Sequence, residues 1–266
     1  MVFSAAFVLG TGAVLAPVLP VRAAPSGPSS PALTRFIYLP VVQNTSANVT
    51  CLPITSESYG TLSVNPPPTD RPAELHADLN LGVRGYAQTG GTLGLVDYGG
   101  PADGAARQFP ALFADWRTPR FTNNYAVYNW SWTCNCQTSL LTSPPVTLAG
   151  VQTTSGETIA VPNSGYNIGD GRQVLVLYAA PTRITLKYTR DDNVIRGYTV
   201  HVEGVCVEPR LLLLYQQWNL VGRGQLPALN GAQPFGRALT SEIKVGIQDS
   251  GAWMDPRSRK DWWQGR

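Results

Sequence analysis

The chain has 266 residues, of which 43% are hydrophobic and only 14% are charged, and its formal net charge is +3. This length and apolar content allow a substantial core, which excludes an intrinsically disordered protein. The small net charge provides no broad basic face for phosphate groups, so we expect no nucleic-acid partner. The 26 glycines and 22 prolines indicate that turns and strands outnumber helices.

The first elements in chain order are an export signal and a tether. Residues 2–19 form an apolar run, and small residues at Val21 and Ala23 predict signal peptidase cleavage after position 23. An uncleaved membrane anchor is the alternative, because the run is barely long enough to span a bilayer. Residues 24–70 are rich in proline and serine and predict a tether with a short extended segment. We expect residues 71–266 to form one β-rich domain, secreted or otherwise extracytoplasmic, with no membrane span after signal removal.

The four cysteines form an even set, Cys51, Cys134, Cys136 and Cys206. In an oxidising compartment this set predicts two disulfides. On an extended strand, the Cα atoms of Cys134 and Cys136 are too far apart for an easy bridge. We therefore expect each of these two to pair with Cys51 or Cys206, in either order. A metal site made of Cys134, Cys136, Cys206 and His201 is the alternative.

The remaining pattern predicts mostly strands. An unbroken apolar run at 173–178 predicts a central strand that is covered on both faces. Alternating apolar residues predict strands with one polar face at 183–188, 198–203 and 242–248. Pro209 opens the clearest helical pattern, which ends near Gly222. The fold class is therefore mainly β, with twisted antiparallel sheets in a sandwich or partly open barrel and one or two short helices.

The two histidines of the chain each stand two positions before a carboxylate, as His76 before Asp78 and His201 before Glu203. If both segments are strands, each pair projects from one face, so two such strands could bring all four side chains together. Zinc sites use this ligand set. Surface or locally hydrogen-bonded histidines are the simpler explanation. Glycoside hydrolysis needs two carboxylates, and spacing singles out no pair among the available ones: Asp97, Asp115, Glu157, Asp170, Glu203, Glu208 and Glu242. Glu203 and Glu242 are the candidate catalytic residues.

Aromatic side chains supply a third kind of candidate site. Tyr128, Trp130 and Trp132 should fall on one side of a strand, where they could stack against sugar rings or could belong to the core. Three further tryptophans lie near the C-terminus at positions 253, 262 and 263. They could contact a partner as an exposed apolar patch or dock on the protein's own body.

From Gly197 onward, the order of motifs resembles the C-terminal half of the lysostaphin-like (LytM-type) peptidoglycan metallopeptidases. The matching segments are 197–201 with His201 at its end, Leu214-Tyr215, 231–236, 242–248 and Asp255-Pro256. The metal-ligand histidines of that family are replaced here by Glu242-Ile243-Lys244 and Gln216-Gln217. Glu74 stands where the family has a histidine four residues before Asp78. The resemblance implies a degenerate member, and such members resemble envelope-binding or regulatory modules more than hydrolases.

Three functions are therefore expected in order of preference. The first is an exported, non-catalytic binding or structural module of the cell envelope or extracellular space, without a cofactor. Its partner would be a cell-wall polymer, a glycan or another envelope protein. The second is a zinc-dependent hydrolase of cell-wall peptide that uses His76, Asp78, His201 and Glu203. The third is a carbohydrate-binding or carbohydrate-acting domain.

Overall fold

Antiparallel strands dominate the computed structural model, which describes residues 51–265 and confirms the predicted mainly β fold class. The strands are β1 Gly60–Ser63, β2 Tyr86–Thr89, β3 Phe121–Ser131, β4 Cys136–Leu140, β5 Leu148–Gln152, β6 Thr158–Ala160, β7 Val174–Ala180, β8 Arg183–Lys187, β9 Tyr198–Glu203, β10 Val205–Val207, β11 Gln225–Leu229, β12 Pro234–Ala238, β13 Glu242–Asp249 and β14 Ala252–Met254. The α-helices are α1 Leu81–Arg84, α2 Pro209–Leu220 and α3 Arg259–Trp262, and 3-10 helices span Ala73–Leu75 and Phe109–Leu112.

The strands form a large open sheet and a small one. The large sheet runs in the order β1-β11-β7-β8-β9-β13-β5-β3-β2, with β14 added beside β13 and β4 beside β3. The small sheet has the order β10-β12-β6. All of these strand pairs are antiparallel.

The two faces of the large sheet have different chemistry at its centre. One face of β9 and β13 carries Val200, Val202, Val245 and similar apolar residues, which belong to the main hydrophobic core. The opposite face carries His201 and Glu203 on β9, as the alternating pattern predicts. Because this second face is also largely buried, its polar side chains must be paired with one another or with the backbone.

The folded body begins earlier than the sequence indicates. β1 lies within the predicted tether, yet it pairs with β11 over four residues. Asn65 also forms a bridge with Asp191. The predicted start of the domain at Arg71 is therefore too late, because the short strand at 60–63 is held by long-range pairing that local composition does not reveal. The predicted signal peptide and residues 24–50 lie outside the described residues.

Helix α2 begins at Pro209, as predicted, and ends at Leu220, two residues before Gly222. Pro209 takes the first helical position, where a missing N–H costs nothing. The Glu208 side chain caps the helix by accepting hydrogen bonds from the backbone N–H groups of Arg210 and Leu211. Among residues 51–265, no helix is long and apolar enough to cross a membrane.

The C-terminal tryptophans dock on the protein's own body, which was one of the two alternatives. Trp262 and Trp263 are buried. Both rings pack against Phe109, at centroid distances of 6.2 and 5.4 Å. Their indole N–H groups donate to the backbone carbonyls of Asp255 and Pro256. Both tryptophans thus belong to the main hydrophobic core of the described residues.

Candidate functional site

Glu203 and Glu242, the two candidate catalytic carboxylates, lie on the same face of adjacent strands. Glu203 on β9 faces Lys244 on β13, and Glu242 precedes Lys244 by two positions. Arg183 Nε lies 3.0 Å from Glu203, and Lys244 Nζ lies 3.2 Å from Glu242 Oε1. The two carboxylates therefore belong to one polar network that crosses β8, β9 and β13.

Within this network, the pKa values of the two carboxyl groups are shifted in opposite directions. Burial raises the pKa of Glu203 above its usual value, against the opposing charge of Arg183. Burial acts in the same direction on Glu242, but hydrogen bonds from three neighbours hold its pKa below the usual range: Thr122, Asn123 and Tyr125. Split pKa values are typical of glycoside hydrolases. However, the Glu203 side chain is only 5% exposed and is held by Arg183, so a substrate oxygen has little access to it.

His201 lies in the same buried face and is neutral. Burial lowers its pKa to about 3. Its Nδ1 is 3.1 Å from Thr185 Oγ1, and that hydroxyl donates its own proton to the Leu79 carbonyl. His201 Nδ1–H must therefore be the donor to Thr185. Trp253 stacks over the imidazole at a centroid distance of 5.1 Å, so His201 is a core histidine enclosed by its neighbours.

The four predicted zinc ligands do not converge. His76 caps the 3-10 helix Ala73–Leu75 and does not lie on a strand, so His76 and Asp78 do not project from one strand face as the sequence pattern suggested. Asp78 forms an ion pair with Arg84, while His201 and Glu203 are buried on the polar face of the large sheet. Among residues 51–265, no three histidine, cysteine, aspartate or glutamate side chains are grouped so that they could hold a metal ion.

Both disulfides are present, but the predicted pairing is wrong. Cys51 bonds to Cys206, and Cys134 bonds to Cys136. The physical reason is that Cys134 and Cys136 flank a turn between β3 and β4 and do not lie on one extended strand. Asn135 between them has φ of +52°, and this left-handed residue brings the two Cα atoms to 5.3 Å. That separation is within the normal range for a disulfide.

An open cleft of about 480 Å³ lies beside this turn. Three parts of the chain line it. The first comprises residues 67–71, His76 and Asp78, the second is Trp132, and the third is residues 193–195. We call it the Trp132 cleft. It brings together two of the predicted metal ligands, His76 and Asp78, with one of the three predicted stacking aromatics. Tyr128 and Trp130 are outside its lining, because β3 has a register shift between them and ends at Ser131.

Trp132 is the aromatic part of the apolar surface of the cleft, to which Pro67, Pro68, Val194 and Ile195 also contribute. Its residue surface is 44% exposed. The guanidinium of Arg71 lies over its ring, with Cζ 4.4 Å from the centroid. His76 and Trp130 meet the indole edge-on, at centroid distances of 5.2 and 6.2 Å. These contacts hold a large aromatic ring in one orientation while leaving part of it open to solvent.

The polar groups of the cleft have defined hydrogen-bonding roles. His76 Nδ1 accepts a hydrogen bond from the backbone N–H of Asp78 at 3.1 Å, so the ring proton lies on Nε2. Burial lowers the pKa of His76, against the charges of Asp78 and Asp70. The hydrogen bond from Arg71 lowers the pKa of Asp70. At neutral pH the cleft thus offers a neutral N–H donor next to carboxylate acceptors.

Comparison of the sequence with protein-family models and curated proteins, and of the fold with solved structures, finds no match. The resemblance to lysostaphin-like metallopeptidases therefore stays a prediction. The chemistry of the cleft is the evidence for function.

Sequence patterns did not indicate Asp70 and Arg71, which have central positions in the cleft. Asp70 is the last residue of the predicted tether and Arg71 is the first residue of the predicted domain. The other partners of Arg71, Trp132 and Asn135, are distant in sequence. Arg71 contacts Trp132 and also donates to Asn135 Oδ1 at 3.1 Å. The one signal in the sequence was the adjacent, oppositely charged pair Asp70-Arg71 shortly after the proline run at 66–68.

Proposed function

We propose that this protein is an extracytoplasmic, non-catalytic binding module and that its ligand is a glycan that packs against Trp132. The observation that carries the proposal is a partly exposed, oriented indole in a cleft that also contains His76 and the carboxylates of Asp70 and Asp78. Among the expected partners, a cell-wall polymer or another glycan fits this chemistry best, because an exposed aromatic ring lies beside hydrogen-bond donors and carboxylate acceptors.

The chemistry of a sugar ring matches that of the cleft. A pyranose presents a flat C–H face that can cover an aromatic ring, while its rim carries hydroxyl groups that both donate and accept. Trp132 supplies the flat apolar surface. The Nε2–H of His76 supplies a donor, and the carboxylates of Asp70 and Asp78 supply acceptors. Ligand sites commonly combine an apolar wall with a few placed polar groups.

The ion pairs of these carboxylates favour a binding role over a catalytic role. Asp70 is paired with Arg71 and Asp78 with Arg84. The hydrogen bond from Arg71 lowers the pKa of Asp70, so this carboxyl group is not suited to protonate a glycosidic oxygen. The acid with a raised pKa, Glu203, is buried and does not line this cleft.

The cysteines support an extracytoplasmic location. The structure uses all four in two disulfides, and such bonds persist in oxidising compartments. Together with the predicted export signal, this favours secretion or a place at the cell surface or in the periplasm.

A depletion assay on insoluble polysaccharides tests the proposal. Purified protein is mixed with peptidoglycan sacculi, cellulose, chitin or xylan, and the unbound fraction is measured. Wild type should bind at least one of them, and Trp132→Ala should weaken that binding about tenfold or more, as expected for an aromatic anchor. The matched control is Trp116→Ala, since Trp116 is 41% exposed elsewhere on the surface. Absence of binding to all four polymers, or equal losses in both variants, would overturn the proposal.

A further inference from the structure

The two disulfides differ in position. Cys51–Cys206 joins residues 155 positions apart, and Cys206 on β10 is only 8% exposed. Cys134–Cys136 closes a ring across a single residue at the exposed end of the β3–β4 hairpin. A cross-link that closes a long loop restricts the unfolded chain strongly, whereas one that closes so small a ring restricts it little. We therefore expect the second disulfide to contribute little to the stability of the fold.

We propose that Cys134–Cys136 is a redox-active site that exchanges with external dithiols and controls the geometry of the Trp132 cleft. Exchange requires a thiolate to approach a disulfide sulfur. Cys134 is an exposed residue in a turn whose neighbours are exposed as well. This access distinguishes it from the buried Cys206.

The exchange reaction balances with a dithiol as the reductant. One thiolate of the dithiol attacks Cys134 Sγ, which breaks the Cys134–Cys136 bond and forms a mixed disulfide. The Cys136 sulfur leaves as a thiolate and takes a proton from solvent. The second thiol of the reductant then attacks the mixed disulfide, releases Cys134 as a thiol and leaves the reductant as a disulfide. The protein gains two electrons and two protons in total.

The ring is connected to the cleft through Asn135 and Arg71. Asn135 has a left-handed backbone, with φ of +52°, which costs energy for a residue other than glycine. Its Oδ1 accepts a hydrogen bond from Arg71 Nη1, and the same guanidinium lies over Trp132. Opening the ring allows Asn135 to leave this conformation. Arg71 then loses one of its two polar anchors, and the orientation of Trp132 is no longer fixed.

The first experiment measures reactivity without any glycan. Folded protein is equilibrated in dithiothreitol buffers of increasing reducing strength, alkylated with iodoacetamide and mapped by peptide mass spectrometry. Cys134 and Cys136 should be labelled at least tenfold more than Cys51 and Cys206 at intermediate buffers, while far-ultraviolet circular dichroism stays unchanged. Equal labelling of the two pairs, or no labelling of Cys134 and Cys136 before unfolding, would overturn the redox site.

The second experiment tests control of the cleft, which is the part that rests on the proposed function. Reduced wild type and the double variant Cys134→Ser/Cys136→Ser should both lose near-ultraviolet dichroism that Trp132→Phe also removes, with no ligand present. Both should bind the polysaccharide identified by depletion about fivefold more weakly than oxidised wild type. An unchanged indole signal would overturn control of the cleft. If oxidised wild type binds no polysaccharide, the proposed function fails, while the labelling and dichroism results still decide the redox proposal.

Discussion

The guanidinium of Arg71 lies over the indole of Trp132, with 4.4 Å between Cζ and the ring centroid. The same group donates from Nε and Nη2 to the two carboxylate oxygens of Asp70, at 2.9 and 2.8 Å. Its Nη1 donates to Asn135. One side chain thus connects the segment before the first 3-10 helix with the turn between β3 and β4. The planar guanidinium of Arg71 therefore positions the Trp132 ring in the cleft.

Arg71→Ala should weaken glycan binding about fivefold, because a cation–π contact at an exposed site contributes about 1 kcal/mol. Arg71→Lys should lose nearly as much, since an ammonium cannot donate to Asp70 and Asn135 in a fork while covering the ring. Calorimetric titration with the hexasaccharide of the polymer that binds in the depletion assay measures both effects. Thermal unfolding should change little, because the group is partly exposed. Full binding by Arg71→Ala would show that Arg71 does not position Trp132.

Gly150→Ala should lower the free energy of unfolding by about 1–3 kcal/mol, the usual cost of inserting a methyl group into a packed site. A Cβ at this position would lie 2.6 Å from Glu242 Oε2 and 2.9 Å from Thr122 Oγ1. It would therefore displace the carboxylate that reaches across β5 to β3. Chemical denaturation measures the change.

The matched control for this substitution is Gly90→Ala, where a Cβ meets nothing within 4 Å. It should change the free energy of unfolding by no more than about 0.5 kcal/mol. Equal effects at both positions would show that Glu242 is not held in place across Gly150. Neither variant should alter glycan binding, since neither residue lines the Trp132 cleft.

His201 should make the fold sensitive to acid. Its pKa is about 3 in the folded protein and about 6.5 in an unfolded chain. Between these values the unfolded state binds one more proton, so stability falls as pH decreases, by about 1.4 kcal/mol per pH unit from this residue. Denaturation at pH 6, 5 and 4 should give a shallower pH dependence for His201→Gln than for wild type. His76→Gln should change the slope less, because His76 is less buried. Parallel wild-type and His201→Gln curves would contradict a buried neutral imidazole.

The periodic part of the fold could be predicted from the sequence. Alternation at 242–248 predicted β13, Glu242–Asp249, and the unbroken apolar run at 173–178 predicted the buried strand β7, Val174–Ala180. These predictions succeeded because strand periodicity directly reflects which face is covered. Helix α2 was equally clear, since Pro209 and the spacing of apolar residues both indicate it.

The cleft could not be predicted because turns and long-range contacts form it. The left-handed φ of Asn135 pairs Cys134 with Cys136, and no sequence rule excluded an extended segment there. His76 was assigned to a strand, whereas it caps a 3-10 helix. Arg71 meets Trp132 across 61 positions of sequence. The predicted metal ligands contribute two residues to the cleft and the predicted stacking aromatics contribute one. That these residues meet depends on tertiary contacts, which local sequence patterns do not show.

Fluorine NMR of protein labelled with 5-fluorotryptophan can distinguish the seven tryptophans of the chain, and Trp132→Phe assigns the resonance of the cleft. We expect titration with the hexasaccharide of the bound polymer to shift the Trp132 resonance in a saturable way, with a smaller shift at Trp130 and none at Trp116. Saturable binding that leaves the Trp132 resonance unmoved would contradict glycan recognition at this cleft.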